Sequence, residues 1–156
     1  MQCGVSCLAM ICRHHGRNYS IEYLDRYCHA NALGVSMLGI TECAKVIGIN
    51  VMTVEASIVE LNNNLLPCIL HWNQNHFVVL YKIKNGKKFY IADPAKGLVT
   101  YTLDEFKEHW ISTHSDGEDK GVAMFLEPTP AFYSNNEIVE NNKEKRSFRF
   151  LFGYVR

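Results

Sequence analysis

His76-Phe77-Val78-Val79-Leu80-Tyr81-Lys82-Ile83-Lys84-Asn85-Gly86-Lys87-Lys88-Phe89-Tyr90-Ile91-Ala92-Asp93 reads as two strands rich in β-branched and aromatic residues, joined by a two-residue turn. Asn-Gly is the strongest short-range hairpin signal, because both central positions tolerate a positive φ. Pairing Lys84 with Lys87 sets Val78 opposite Asp93 and His76 opposite Ala95. His76 and Asp93 then become diagonal neighbours on one face, about 7–8 Å apart, within reach of an imidazole and a carboxylate. The pairing depends on register: a one-residue bulge would carry one of the two side chains to the opposite face.

Outward from this hairpin, helical patterns precede it and strand patterns surround it. Gly4 to His15 places Val5, Leu8, Ala9 and Cys12 at helical spacing, with Gly16 as a stop. Ser20 is placed to cap a second helix through Cys28. Ser36 is placed to cap a third that ends at Gly48, with Met37, Ile40, Ala44 and Ile47 as its apolar stripe. Ser57-Ile58-Val59-Glu60 and Thr102-Leu103-Asp104-Glu105 fit the capping box and predict two short helices. Strands are predicted over residues 49–54, 68–72, 76–83, 88–92, 98–101 and 122–126. Helices followed by a meandering antiparallel sheet define an α+β domain.

Composition supports a single folded core. The chain has 156 residues, 47% hydrophobic and 21% charged, which excludes a disordered or low-complexity protein. Sixteen basic residues balance sixteen acidic ones, so the broad positive footprint of a nucleic-acid binder is missing. No apolar run approaches the roughly 20 residues that span a bilayer, and Val5 to Cys12 lacks the flanks of a signal peptide. With ample core, the six cysteines are expected as reduced thiols rather than a disulfide framework. Past Glu127-Pro128-Thr129-Pro130 the chain turns polar to Ser147, which reads as a linker.

An imidazole oriented by a carboxylate calls for a nucleophile, and Cys3 in Gln2-Cys3-Gly4 stands at the start of the first helix. Free backbone amides and the helix dipole stabilise a thiolate there, and a facing imidazolium would add to this. Cys3, His76 and Asp93 are thus candidates for nucleophile, base and orienting group. Cys7, Cys12, Cys28, Cys43 and Cys68 read as buried hydrophobes. A metal site from Cys3, Cys7, His14 and His15 is the rival, but the chain has no Cys-x-x-Cys pair and no second pair at zinc-finger spacing. His71 and Trp72 read as strand-end core residues near the site. His109 and His114 read as solvated, His14 and His15 as dipole-complementing, and Asn75 as shaping the turn before His76.

Cys3-Gly4-Val5-Ser6-Cys7-Leu8-Ala9-Met10-Ile11, Leu66-Pro67-Cys68-Ile69-Leu70-His71-Trp72, His76-Phe77-Val78-Val79-Leu80 and Asp93-Pro94-Ala95-Lys96-Gly97 occur in that order. Together they resemble the cysteine-peptidase domain of peptidase-containing bacterial ABC transporters, over about residues 1–127. Gly34-Val35-Ser36-Met37-Leu38-Gly39 is similar to the family's segment before its third helix. The resemblance implies a papain-like fold that removes leader peptides from bacteriocin-like precursors after a double glycine, on the cytoplasmic side of the bacterial inner membrane. It implies catalysis by Cys3, His76 and Asp93, with no metal and no cofactor in this segment; ATP and Mg belong to a separate nucleotide-binding domain. The implied partners are a precursor with an amphipathic leader helix ending in Gly-Gly, and the transmembrane and ATPase domains of the same parent chain. The segment would be a monomer within a homodimeric transporter. Residues 128–147 become the linker and 148–156 the lead-in to a first membrane helix, with Arg146, Arg149 and Arg156 on its cytoplasmic side.

The family also places an oxyanion-stabilising glutamine about six residues before the cysteine, a group whose loss costs about 100–1000-fold in turnover. The sequence begins two residues before Cys3, and Gln2 leaves the backbone at a different position, so weak cleavage by this segment is expected. The alternative is a peptidase-like module that docks export substrates without cutting them. Retention of all three residues argues against it.

Overall fold

The computed structural model describes residues 3–28 and 36–134, which fall into two units, Met1–Val51 with Leu126–Arg156 and Met52–Phe125. The first unit begins with α1 (Cys3–His14), which buries Val5, Cys7, Leu8, Ala9, Met10, Ile11 and Cys12. A helix apolar all round is a central one, and α1 packs with α2 (Ile21–Cys28) and α3 (Met37–Val46). Each helix ends where its sequence signals ask. Gly16 takes φ +90° past α1, Ser20 Oγ accepts the Tyr23 N–H at 2.9 Å, and Ser36 Oγ accepts the Gly39 N–H at 3.1 Å. In the second unit, the short helix expected from Ser57 is one 3₁₀ turn, Ile58–Glu60, with its capping box formed.

Two expectations in the first unit need correction. Residues 128–134 fall in the stretch whose composition reads as linker, yet α5 (Pro130–Ser134) is folded and Phe132 is fully buried. Thr129 donates its N–H and its hydroxyl to the Gly48 carbonyl at 2.9 and 2.6 Å, and the Arg17 guanidinium donates to the Tyr133 carbonyl at 2.6 Å. Gly48, at φ +95°, admits this contact because a Cβ there would lie 2.4 Å from the Phe132 nitrogen. One buried ring anchors a short polar segment, a signal too brief for periodicity to show. The remaining linker residues and the 148–156 lead-in lie outside the described residues. Cys43 is disulfide-bonded rather than a free thiol; helical spacing shows that such a cysteine is buried but not that a second sulfur lies beside it. Cys7 and Cys12 are fully buried, as expected.

The second unit is built on a seven-stranded sheet. β1 (Ile49–Ala56), β2 (Cys68–Trp72), β3 (His76–Lys84), β4 (Lys88–Asp93), β5 (Gly97–Thr102) and β7 (Glu118–Pro128) lie in the order β1-β7-β2-β3-β4-β5, and β6 (Ile111–Ser115) pairs with β7. β1 and β7 cross the boundary between the units in sequence. β6 is not among the predicted strands: Ile111-Ser112-Thr113-His114-Ser115 carries one apolar residue, although Asp116-Gly117, at φ +54° and +75°, is a hairpin signal of the same kind as Asn85-Gly86.

One sheet face and α4 (Leu103–Trp110) enclose the core of this unit, which includes Leu70, Trp72, Val78, Leu80, Phe89, Ile91, Tyr101, Phe106 and Trp110. Phe106 and Trp110 share a helical face. Phe106 stacks on Phe89 at 4.2 Å between centroids, and Trp110 Nε1–H donates to the Val122 carbonyl at 3.0 Å. Gly121 makes room for the indole, since a Cβ there would meet it at 2.4 Å.

The β3–β4 register departs from expectation twice, and the departures cancel. The turn bond runs from Lys87 N–H to the Lys84 carbonyl, but Lys84 pairs with Lys88, leaving Lys87 as an extra residue on the β4 side. A bulge between Leu80 and Lys82 leaves Tyr81 as an extra residue on β3. Beyond it, Leu80 faces Ile91 and Val79 faces Ala92, which restores the register that sets Val78 opposite Asp93.

α4 starts at the predicted capping box: Thr102 Oγ1 accepts the Glu105 N–H at 3.3 Å and Glu105 Oε1 accepts the Thr102 N–H at 2.8 Å. The Thr102 N–H, and then its hydroxyl, hold the Glu105 carboxyl below its ordinary range. A depressed folded-state value stabilises the fold above the ordinary carboxylate pKa and ceases to do so as pH falls through the depressed one. Glu105→Gln should therefore lower the melting temperature at pH 7, with a deficit that shrinks as unfolding is followed at progressively more acidic pH.

Candidate active site

His76 opens β3 immediately after a tight turn, and Asp93 closes β4 immediately before another. Trp72 pairs with His76 across the first turn, whose bond runs from the Asn75 N–H to the Trp72 carbonyl at 3.2 Å. The second turn is Asp93-Pro94-Ala95-Lys96, closed by Lys96 N–H donating to the Asp93 carbonyl at 3.1 Å, with proline at the position that favours its fixed φ.

The structure brings the two side chains together: His76 Nε2 lies 2.7 Å from Asp93 Oδ1. The same oxygen accepts the Ala95 N–H at 2.8 Å, an Asx turn that fixes the carboxylate before the imidazole reaches it. Asp93 is 2% exposed and His76 14% at the side chain. Charge-assisted hydrogen bonds in so dry a setting are stronger than neutral ones. A carboxylate only accepts, so the ring proton sits on Nε2, and the lone pair of neutral His76 is on Nδ1. Among the described residues Nδ1 has no hydrogen-bond partner. The arrangement is a proton acceptor of fixed tautomer and orientation.

Cys3 is the first residue of α1, in the other unit, and its thiol is free and buried. At that position backbone N–H groups without intrahelical partners are available to a developing negative charge. Burial pushes the Cys12 and Cys68 thiols up, which leaves them protonated and unreactive.

The other histidines separate by position. His71 lies on the opposite face of the sheet from His76, tilted against Phe77 at 5.2 Å, and burial pulls it below its ordinary value. His114 accompanies Asp119 at 2.5 Å in the β6–β7 hairpin. His109, read from sequence as solvated, instead stacks on Trp72 and hydrogen-bonds Asn73; an isolated histidine in a polar stretch carries no pattern that reveals a partner 36 residues away. His14 and His15 meet edge to face at 5.0 Å at the end of α1. Among the described residues no group of three His, Cys, Asp or Glu side chains converges to hold a metal ion.

Helices preceding an antiparallel sheet, with a carboxylate-held histidine at a strand start and a cysteine at a helix start, define the papain-like class of α+β domain. The chain belongs to the peptidase C39 family, whose model matches residues 1–114. It is 34% identical over 133 residues to the colicin V secretion/processing ATP-binding protein CvaB of Escherichia coli, covering 85% of this chain and 18% of that protein. It is 30% identical over 167 residues to the lactococcin-G-processing and transport ATP-binding protein LagD of Lactococcus lactis, covering 98% and 22%. The chain thus spans about a fifth of the length of these curated relatives. Among solved structures, a double glycine motif protease from an AMS/PCAT transporter, in complex with its leader peptide, superposes with TM-score 0.68 at 31% identity, covering 82% of this chain and 85% of that one. The peptidase domain of Streptococcus ComA, a bifunctional ABC transporter, superposes with TM-score 0.66 at 29% identity, covering 82% and 92%.

The geometry predicts that neutral His76 carries its proton on Nε2. Nitrogen-15 shifts of the ring should show a protonated Nε2 and a bare Nδ1, and Asp93→Asn, whose amide can present a donor, should shift the population toward the Nδ1–H form.

Proposed function

We propose that this chain is the cysteine endopeptidase segment of an exporter, cutting the leader from a bacteriocin-like precursor after a double glycine. The observation that carries the reading is the 2.7 Å bond between His76 Nε2 and Asp93 Oδ1, which reserves Nδ1 for proton transfer. Family membership and the position of Cys3 on α1 support the rest.

In this reading Cys3 Sγ attacks the carbonyl carbon of the second glycine while its proton passes to His76 Nδ1. The tetrahedral oxyanion collapses, the C–N bond breaks, and the leaving amine takes the proton from Nδ1. Water then adds to the thioester and gives a proton to Nδ1; the C–S bond breaks, the leader departs with a new carboxylate, and Cys3 is regenerated. Asp93 stabilises the imidazolium at both stages and stays ionised. Glycine suits the two positions before the cut because, without a Cβ, it threads a slot too narrow for other residues.

The partners follow from the same reading. The substrate is a precursor with an amphipathic leader helix, and the parent chain adds transmembrane and ATP-hydrolysing domains, with this segment on the cytoplasmic face of the membrane. Among the described residues no helix is long and apolar enough to cross a bilayer.

A synthetic leader ending in Gly-Gly with a short extension, followed by mass spectrometry, tests the proposal. Cleavage should occur after the second glycine and be lost in Cys3→Ala and His76→Ala. Extending the chain at its N-terminus to place a glutamine about six residues before Cys3 should raise turnover by about 100–1000-fold, the contribution of one oxyanion donor. A chain that binds several leaders and cleaves none, extended or not, would be a docking module instead.

A further inference from the structure

We infer that His109 is a positioning residue for His76, acting through the tight turn that precedes it; the catalytic meaning of this rests on the function proposed above. The described residues contain three pairs of consecutive positive-φ residues in hairpin turns: Asn73-Gln74, Asn85-Gly86 and Asp116-Gly117. Two of them place glycine at the second position, as the conformation favours. The third, at φ +52° and +63°, places Gln74 there, and it is the turn that leads directly into the catalytic base. A side chain in this region is strained, and such a turn persists only where its surroundings over-determine it.

The surroundings are the last turn of α4. The His109 carbonyl accepts the Asn73 N–H at 2.8 Å, and His109 Nδ1–H donates to Asn73 Oδ1 at 2.8 Å. The His109 ring lies flat on the Trp72 indole, 5.1 Å between centroids and 13° between planes, with Tyr101 edge-on at 5.1 Å. One residue therefore grips the turn by its main chain, by its imidazole and by the indole of the residue paired with His76. The Nδ1–H to Asn73 bond needs the proton on Nδ1, which both the charged ring and one neutral tautomer supply. The contacts of His109 are with Asn73, Trp72 and Tyr101, so its effect on His76 is indirect. Its consequence is that the start of β3, and with it the His76 ring, is held in one place relative to Asp93.

The test compares the unaltered chain with His109→Ala, Asn73→Asp and the double variant His109→Ala/Gln74→Gly, reading kcat and KM on the double-glycine peptide and the downfield proton resonance of His76 Nε2–H. Because a misplacement of about 1 Å costs up to about 100-fold, His109→Ala should lower kcat about 10–100-fold with KM within about 2-fold, and broaden or abolish the His76 resonance. Asn73→Asp, which keeps the acceptor, should retain both. Gln74→Gly should restore both to the His109→Ala background, because it relaxes the turn that His109 holds. An unchanged kcat and resonance in His109→Ala, or a double variant as impaired as the single one, would overturn the inference. If the chain cleaves nothing even when extended to carry the upstream glutamine, the peptidase reading fails while the resonance still decides whether His109 positions His76.

Discussion

One oxygen atom organises the site. Asp93 Oδ1 accepts the Ala95 N–H and faces His76 Nε2 within 2.8 Å, in a position almost closed to water. Hydrogen bonds to a charged group contribute about 1.5–3 kcal/mol each, and leaving a buried carboxylate without them costs more. The β3–β4 pairing must satisfy this atom. Had the hairpin kept the Lys84–Lys88 register along its whole length, Asp93 would have faced Val79 and pointed away from His76. The Tyr81 bulge returns the strand to the required register, so the irregular backbone at Leu80–Lys82 is what allows the dyad to form.

A layer of rings adjoins the dyad through Trp72, which pairs with His76. Trp72 contacts Tyr101, Phe106 and His109, and Phe106 contacts Phe89 and Trp110. Replacing such a buried aromatic by alanine typically costs about 3–5 kcal/mol. Burial first, and then the Asp93 charge, raise the Tyr101 hydroxyl. Cys3, the proposed nucleophile, is carried by a different element, α1, which is buried along most of its length.

Much of this was legible in the sequence. Helix stops and caps at Gly16, Ser20, Ser36 and Thr102 are local chemistry and read directly, as do strands with continuous apolar runs such as Val78-Val79-Leu80. His76 and Asp93 were paired from turn chemistry alone, through a register that was wrong next to the turn and right at its far end. What escaped depends on tertiary partners. Phe132 is one anchor in a polar stretch, β6 has almost no apolar face, and the Cys43 disulfide needs a second sulfur. His109 gains its role from Trp72 and Asn73, which the fold brings to it and the local sequence does not mark.

The central claim is that the Asp93-held imidazole serves Cys3 and no other thiol. Its most direct test is to quench the chain during turnover of a double-glycine precursor and locate the acyl group by mass spectrometry. The expected result is a thioester of the leader on Cys3 alone, which accumulates to a much lower level in Asp93→Asn and is undetectable in His76→Ala. An acyl group on Cys7, Cys12 or Cys68, or cleavage that proceeds at the same rate without His76, would contradict it.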